Sequence, residues 1–255
     1  MNAPVTHWRG RRVWLFGASS GIGAALARRL LAEGARVAIS ARSATRLRAV
    51  VDVAPQAMVL PCDATDAASM AAVATTIVGA WGGIDTAIYL AGDYVPMRGW
   101  EIDLAAVERT LAVNVGGAYA FAAAVVPHFL ARGCGDMALV ASVAGYRGLP
   151  KALAYGPSKA ALVNFAESLA IDLQPRGVGV RLINPGFVAT QLTAKNDFAM
   201  PALLTPEAAA DEILAGYRGK AFEIHFPKRF TCFMKLLALL PARIYLPLVR
   251  RFSGG

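Results

Sequence analysis

Hydrophobic and polar residues follow a repeating order along this chain: short apolar runs alternate with longer segments whose apolar residues recur at helical spacing. "RVWLFG" (12–17) is a short apolar run that ends in glycine. "ASSGIGAALARRLLAEG" (18–34) has helical spacing up to Gly34, a helix stop signal. The first pattern predicts a buried strand and the second a helix.

The same order recurs towards the C-terminus. Further strands are predicted over 35–40, 56–63, 84–92, 135–145, 177–186 and 220–226, and helices over 43–54, 66–82, 104–130 and about 155–173. Alternating elements with strands that are apolar almost throughout predict a parallel sheet with helices on both faces. The fold class is therefore α/β: a doubly wound, Rossmann-type parallel sheet of about seven strands in a single domain.

Composition narrows the kinds of partner. The hydrophobic fraction is 56% and the charged fraction 17%, which suits a buried parallel sheet. A net charge of +9 favours anionic partners such as nucleotides or acidic lipids. No nucleic acid is expected, because the sequence has no zinc or helix-turn-helix signature and no basic strand interleaved with aromatics. The three histidines share no ligand spacing, so no metal site is expected.

The number and spacing of the cysteines indicate the kind of cellular compartment. Cys62, Cys134 and Cys232 lie far apart and are odd in number, which favours a reducing compartment. The N-terminus has no apolar segment typical of a secretory signal. We therefore expect a cytoplasmic protein, with the inner face of a membrane as a second setting.

The loop after the first predicted strand is rich in glycine. In "GASSGIG" (17–23), Gly17 would make the tight turn, Gly21 would let backbone approach a pyrophosphate, and Gly23 would let helix pack on strand. The helix start would supply N–H groups to the anion. This position in the first βαβ unit predicts a dinucleotide site. The predicted contacts of this loop are Gly17, Ser19, Ser20, Gly21, Ile22 and Gly23.

The end of the second predicted strand bears on the choice of dinucleotide. An acidic residue there takes the ribose 2′-hydroxyl of NAD, whereas an arginine accommodates the 2′-phosphate of NADP. The sequence reads "SARS", with Arg42 and no carboxylate. NADP(H) is therefore favoured over NAD(H). The alternative is that Arg42 is an ordinary solvated residue at a helix start.

"LAYGPSKAAL" (153–162) places Tyr155 and Lys159 four residues apart on an Ala-rich segment. Residues at this spacing share one face of a helix, which permits a joint role but does not demand one. Pro157 is compatible with a helix only in the first turn. We therefore expect the pair near a helix start.

With "GASSGIG", "LAG" after the fourth strand, Asn114, Ser142, "YGPSK" and "NPGFVAT" in chain order, the sequence over about 12–190 resembles a short-chain dehydrogenase/reductase. The resemblance implies that Tyr155 is the general acid in carbonyl reduction and the base in oxidation. It implies that Lys159 lowers the pKa of Tyr155 and holds the nicotinamide ribose. Ser142 would bind the same substrate oxygen, and Asn114 would position a water in the proton path.

Elementary chemistry agrees with these roles. A free tyrosine titrates near 10, so an adjacent ammonium and a cofactor cation would match its pKa better to proton transfer at neutral pH. The hydroxyl of Ser142 can stabilise a developing alkoxide, and the cofactor supplies the hydride.

The resemblance also implies further cofactor contacts and contains one departure. The residues implied are Asp63 and Ala64 for the adenine, Pro185, Gly186, Val188 and Thr190 for the nicotinamide, and Ala91 and Gly92 in the loop after the fourth strand. The usual Asn-Asn-Ala-Gly is replaced here by Tyr89-Leu90-Ala91-Gly92. The missing asparagine removes a polar tie to the neighbouring strand, which puts the support of this loop in question.

The C-terminal part departs from the family pattern. Residues 187–205 are predicted to cover the substrate, and Phe187, Leu192 and Phe198 suggest an apolar substrate or, equally, packing of the segment on the core. Residues 1–226 would form the catalytic domain. The tail 227–255 has no acidic residue and is too interrupted to span a bilayer. It predicts a basic, apolar helix pair separated by Pro241, either lying on anionic lipid or packed on the domain or a partner subunit.

The leading function is an NADPH-dependent oxidoreductase that interconverts a carbonyl and a hydroxyl on a fairly apolar small molecule. One alternative is an epimerase or dehydratase that uses the same tyrosine and lysine. Another is a cofactor-binding scaffold or redox sensor at a membrane without turnover. We also expect a homo-oligomer, with peripheral membrane contact through the tail as a further partner.

Overall fold

Seven strands form one parallel sheet in the computed structural model, which describes residues 2–51, 54–196, 198 and 200–252. The strand order is β3-β2-β1-β4-β5-β6-β7, and every neighbouring pair is parallel. The strands are β1 (Arg12–Phe16), β2 (Arg36–Ser40), β3 (Ala57–Val59), β4 (Thr86–Tyr89), β5 (Gly135–Val140), β6 (Val178–Pro185) and β7 (Glu223–Phe226). The predicted α/β fold class is confirmed.

The helices cover both faces of the sheet. They are α1 (Gly21–Ala32), α2 (Ala44–Val51), α3 (Ala67–Trp81), α4 (Leu104–Leu111), α5 (Gly117–Arg132), α6 (Tyr155–Leu173), α7 (Pro206–Tyr217), α8 (Lys228–Ala238) and α9 (Ala242–Phe252). Successive residues of a strand point to opposite faces. Val13 and Leu15 of β1 therefore pack in one core with α1, α2 and α7, while Trp14 and Phe16 pack in a second core with α3, α5 and α6. Burial on both faces explains the continuous apolar runs.

Several predicted bounds were wrong. Strands predicted over 56–63 and 84–92 are only Ala57–Val59 and Thr86–Tyr89. The residues that follow them form loops at the carboxyl edge of the sheet. The helix predicted over 43–54 corresponds to α2, and residues 52 and 53 lie outside the described part of the chain.

The single helix predicted over 104–130 is interrupted. A π-helical turn, Ala112–Gly116, separates α4 from α5. The hydroxyl of Tyr89 donates to the carbonyl of Val113 at 2.6 Å, and Asn114 is drawn into side-chain bonds described below. These bonds and the consecutive glycines at 116 and 117, which are poor helix formers, favour the wider turn.

The stretch Leu104–Arg132 is long and apolar enough to cross a bilayer by length and composition. Here it serves as a core element, since Phe121, Val125 and Phe129 are buried in the second core.

Helix α7 was not anticipated from the sequence. Thr205 caps it by accepting from the backbone N–H of Ala208 at 3.1 Å, and Pro206 occupies its first turn. A threonine N-cap followed by proline is a recognised start signal and could have identified the helix. The helix pair expected in the tail is present as α8 and α9, with Pro241 between them; residues 253–255 lie outside the described part.

Candidate active site

A cleft of about 570 Å³ opens at the carboxyl ends of the strands. The strand order reverses between β1 and β4, and ligands of open α/β sheets bind at such a switch point. The volume lies in the range of small-molecule sites. Every residue that the sequence implicated in cofactor binding lines this cleft: Gly17, Ser19, Ser20, Gly21, Ile22, Gly23, Arg42, Asp63, Ala64, Ala91, Gly92, Tyr155, Lys159, Pro185, Gly186, Val188 and Thr190.

The glycine turn has no room for side chains. A Cβ on Gly17, whose φ is +97°, would lie 2.4 Å from the backbone nitrogen of Ala91. A Cβ on Gly23 would lie 2.4 Å from the carbonyl oxygen of Gly17. Ser20 precedes α1 in an extended conformation and makes no side-chain cap bond. The first N–H groups of α1 are therefore not capped by Ser20, which suits a diphosphate.

The outer end of the cleft carries positive charge. Arg42 follows β2, and Arg46 lies one turn further along on α2; both side chains are exposed and line the cleft. Arg46 was missed by the sequence analysis, although a second arginine just inside the helix that follows Arg42 was visible in the sequence. Asp63 faces the same cleft, and its Oδ1 accepts from the backbone and hydroxyl of Thr65, both at 2.8 Å. These two bonds hold the pKa of Asp63 below its usual value.

Tyr155 and Lys159 occupy the first two turns of α6, with Pro157 in the first turn as expected. The ammonium of Lys159 is buried, donates to the carbonyl of Val140 at 2.9 Å, and lies 5.5 Å from the centre of the Tyr155 ring. Burial lowers the pKa of Lys159 to about 7. Burial raises the pKa of Tyr155 to about 12, and a hydrogen bond with Ser142 partly offsets this. Three titratable or polar groups thus meet at one point of the cleft.

Asn114 lies outside the cleft lining and is fully buried. Its amide Nδ2 donates to the carbonyl of Asp93 at 3.0 Å and to Oγ of Ser158 at 2.8 Å, while its Oδ1 accepts from the N–H of Asp93 at 2.6 Å. Ser158 in turn donates to the carbonyl of Tyr155 at 2.7 Å. Asn114 therefore ties the loop after β4 to the first turn of α6. Its predicted role in positioning a water stays a prediction.

Tyr89 supports the loop after β4, where the asparagine usual in the family is missing. Its ring is buried and stacks on Phe16 at 5.5 Å, and its hydroxyl ties the end of β4 to the π-helical turn through Val113. Gly117 leaves room for this hydroxyl, since a Cβ there would lie 2.1 Å from it. Sequence reasoning missed this role because the bond joins residues 24 positions apart.

The segment predicted to cover the substrate is fastened across the cleft. Leu192 lines the cleft, whereas Phe187 packs on Phe198 at 5.9 Å and on Phe230 of α8 at 5.5 Å between ring centres. Lys195 donates to the carbonyl of Tyr94 at 2.6 Å. Packing therefore accounts for the two phenylalanines. Residues 197 and 199 of this segment lie outside the described residues.

Comparison with known proteins agrees with the site. The family model for short chain dehydrogenase matches residues 11–200. An uncharacterized oxidoreductase of Myxococcus xanthus (strain DK1622) is 35% identical over 246 residues, which is 94% of this chain and 97% of that protein. The chain belongs to the short-chain dehydrogenase family, and it is an NAD(P)-dependent dehydrogenase/reductase.

Two further relatives differ in the cofactor that their names carry. A short chain dehydrogenase from Burkholderia cenocepacia J2315, solved in complex with NADP, has a TM-score of 0.85, 25% identity, and covers 96% of this chain and 99% of its own. The 2-dehydro-3-deoxy-L-rhamnonate dehydrogenase (NAD(+)) of Sphingomonas sp. (strain SKA58) is 34% identical over 188 residues, 72% of this chain and 75% of that protein.

Proposed function

We propose that this protein is an NADP(H)-dependent oxidoreductase that interconverts a carbonyl and a hydroxyl group on a fairly apolar small molecule, with Tyr155 as general acid and base. The observation that carries the proposal is the convergence of Tyr155, Lys159 and Ser142 on a cleft that the glycine turn also lines. Neither the glycine turn alone nor the three converging side chains alone would distinguish a nucleotide-binding protein from an enzyme.

The cleft residues fit a dinucleotide with a 2′-phosphate. The glycine turn and the start of α1 would hold the diphosphate, and Asp63 would meet the adenine. Arg42 and Arg46 would bind the 2′-phosphate, and no carboxylate stands at the end of β2 to take a free 2′-hydroxyl. The NADP complex of the Burkholderia dehydrogenase supports this choice, while the NAD(+) in the name of the Sphingomonas relative does not. The bound cofactor supplies the hydride.

Tyr155 would handle the proton. With a pKa of about 12 it stays protonated at neutral pH and can donate to the carbonyl oxygen as the carbon receives the hydride. Ser142 would donate a second hydrogen bond to the same oxygen. The phenolate that remains favours the charged form of Lys159, so the two groups titrate as a coupled pair. In the oxidation direction the phenolate takes the proton of the alcohol.

The surroundings of Tyr155 support an apolar substrate. The ring of Tyr94 lies edge-on to that of Tyr155 with 5.0 Å between centres, and Leu192 lines the same cleft. An aromatic ring packed on Tyr155 and an apolar side chain in the cleft favour an apolar group beside the carbonyl.

The test is consumption of NADPH and of NADH with a panel of aldehydes, ketones and acyl-chain carbonyls. The proposal expects turnover of at least one carbonyl, at a higher kcat/KM with NADPH than with NADH. An epimerase or a non-catalytic scaffold would bind the nucleotide without net oxidation. Tight NADPH binding with no turnover of any carbonyl or corresponding alcohol would therefore contradict the proposal.

A further inference from the structure

We propose that the C-terminal hairpin, defined as α8, the turn at Pro241 and α9 (residues 228–252), docks on an anionic membrane surface. This inference concerns a surface outside the cleft and does not rest on the proposed function.

The hairpin exposes a concentrated apolar surface. Phe233, Leu236 and Leu239 follow one another at a spacing of three on α8 and its C-cap, and Leu239 is 80% exposed. Ile244 and Leu246 are exposed just beyond the turn. Phe233, Leu236 and Leu239, at a spacing of three, lie on neighbouring positions of one helix face. Single exposed apolar residues are normal on a protein surface, but the row of Phe233, Leu236 and Leu239 on one helix face, with two more large apolar side chains exposed beyond the turn, indicates an interaction surface.

The charge of the hairpin identifies the kind of partner. Residues 224–255 contain six basic and no acidic residues, so six of the nine net positive charges of the chain lie there. The side chains of Lys228, Arg229, Arg243 and Arg251 are exposed. A second copy of the same hairpin would bring like charges together. Anionic lipid complements the charge and accepts the apolar side chains, which is the pattern of an interfacial helix.

The hairpin is firmly attached to the catalytic domain. Nη1 of Arg147 donates to the carbonyls of Ala238, at 2.9 Å, and Leu240. The Arg147 guanidinium lies 4.0 Å from the ring centre of Tyr245, whose hydroxyl donates to the carbonyl of Gly148 at 2.8 Å. Arg147 and Gly148 belong to the loop that leads from Ser142 to Tyr155. Docking would therefore fix the orientation of this side of the cleft relative to the membrane.

A second set of contacts links the hairpin to the sheet. Lys235 of α8 donates to Glu223 at 2.5 Å, and the other carboxylate oxygen of Glu223 accepts from Tyr146 at 2.5 Å and from Asn184 at 2.8 Å. Lys235 is therefore committed to holding α8 on β7. The exposed cations named above are the ones proposed to contact the lipid head groups.

The test is co-sedimentation of the full chain with vesicles of phosphatidylcholine, with and without phosphatidylglycerol. We expect pelleting only with phosphatidylglycerol, and less pelleting as salt is raised. Substituting both Arg243→Gln and Arg251→Gln should weaken the vesicle affinity by about tenfold or more, since two of the exposed cations that attract anionic lipid are lost. The double variant Leu239→Ser with Leu246→Ser should weaken it by a similar factor.

Matched controls come from other exposed surfaces. Ile171→Ser removes an exposed apolar side chain of α6, and Arg176→Gln with Arg218→Gln removes two exposed cations outside the hairpin. These variants should pellet as the unaltered protein does. Equal pelleting of hairpin and control variants, or no pelleting with anionic vesicles, would overturn the proposal. If the hairpin variants instead lower the molar mass seen by light scattering and no vesicle binding occurs, the surface joins subunits and the proposal is wrong. Unchanged turnover of a water-soluble carbonyl in the hairpin variants separates this result from a failure of the proposed function.

Discussion

Replacing Lys159 by methionine should stabilise the protein while removing activity. The side chain of Lys159 is only 3% exposed, and burial lowers its pKa from 10.5 to about 7. At 1.36 kcal/mol per pH unit, this corresponds to about 5 kcal/mol of unfavourable charge burial at a pH below 7. Methionine has a similar length and carries no charge. It leaves the carbonyl of Val140 without its 2.9 Å bond, which costs about 1–3 kcal/mol. The net gain should be about 2–4 kcal/mol at pH 6.

The gain in stability of the Lys159→Met variant should decrease as the pH rises. Below pH 7 the lysine is charged in both the folded and the unfolded protein, so the full penalty applies. Between pH 7 and 10.5 only the unfolded protein holds the proton, so the stability of the unaltered protein rises with pH. Above 10.5 the penalty is gone, and the methionine variant keeps only its loss of the Val140 bond.

Urea unfolding without added nucleotide, at pH 6 and at pH 10, measures this difference. Lys220→Met is the matched control, because Lys220 is exposed, and it should change stability by no more than about 0.5 kcal/mol. Two results would refute the conclusion that burial lowers the pKa of Lys159. One is a Lys159→Met variant that is no more stable than the unaltered protein at pH 6, and the other is a variant with the same gain in stability at both pH values. NADPH turnover by the same variant should fall by about 100-fold or more.

Four further variants test the site and its support. Arg42→Ala and Arg46→Ala should each raise the Kd for NADPH by about tenfold and leave that for NADH nearly unchanged, as titrated by nucleotide fluorescence; equal losses would contradict a 2′-phosphate site. Asn114→Ala cuts the ties between the loop after β4 and the first turn of α6, so it should lower kcat more than NADPH affinity; a loss confined to affinity would argue against this positioning role. Tyr89→Phe removes the hydrogen bond from the Tyr89 hydroxyl to the carbonyl of Val113 and should cost about 0.5–1.5 kcal/mol in urea unfolding; unchanged stability would show that the hydroxyl bond is dispensable.

The fold and the cleft follow from local sequence because their signals are local. A strand buried on both faces reads as an apolar run, and a turn that would place a Cβ 2.4 Å from backbone requires glycine, as at Gly17 and Gly23. Parallel strands also bring their carboxyl ends to one edge. Residues that follow different strands, such as Arg42 and Ser142, are therefore expected at one cleft before any contact is known.

The remaining features depend on partners distant in sequence. The π-helical turn forms where Tyr89 reaches Val113, and no helical period in that segment reveals it. The sequence around Phe187 is equally compatible with a substrate wall and with packing, and only the contact with Phe230 of α8 decides for packing.

The most direct test of the proposed chemistry compares Tyr155→Phe with the unaltered protein. NADPH oxidation would be followed with the best carbonyl of the panel, and NADPH affinity would be measured on the same samples. Removal of the phenolic hydroxyl should lower kcat by about 100-fold or more and change the Kd for NADPH by less than about threefold. A Tyr155→Phe protein that turns over the same carbonyl at a kcat within about threefold of the unaltered protein would contradict the assignment of Tyr155 as the proton donor.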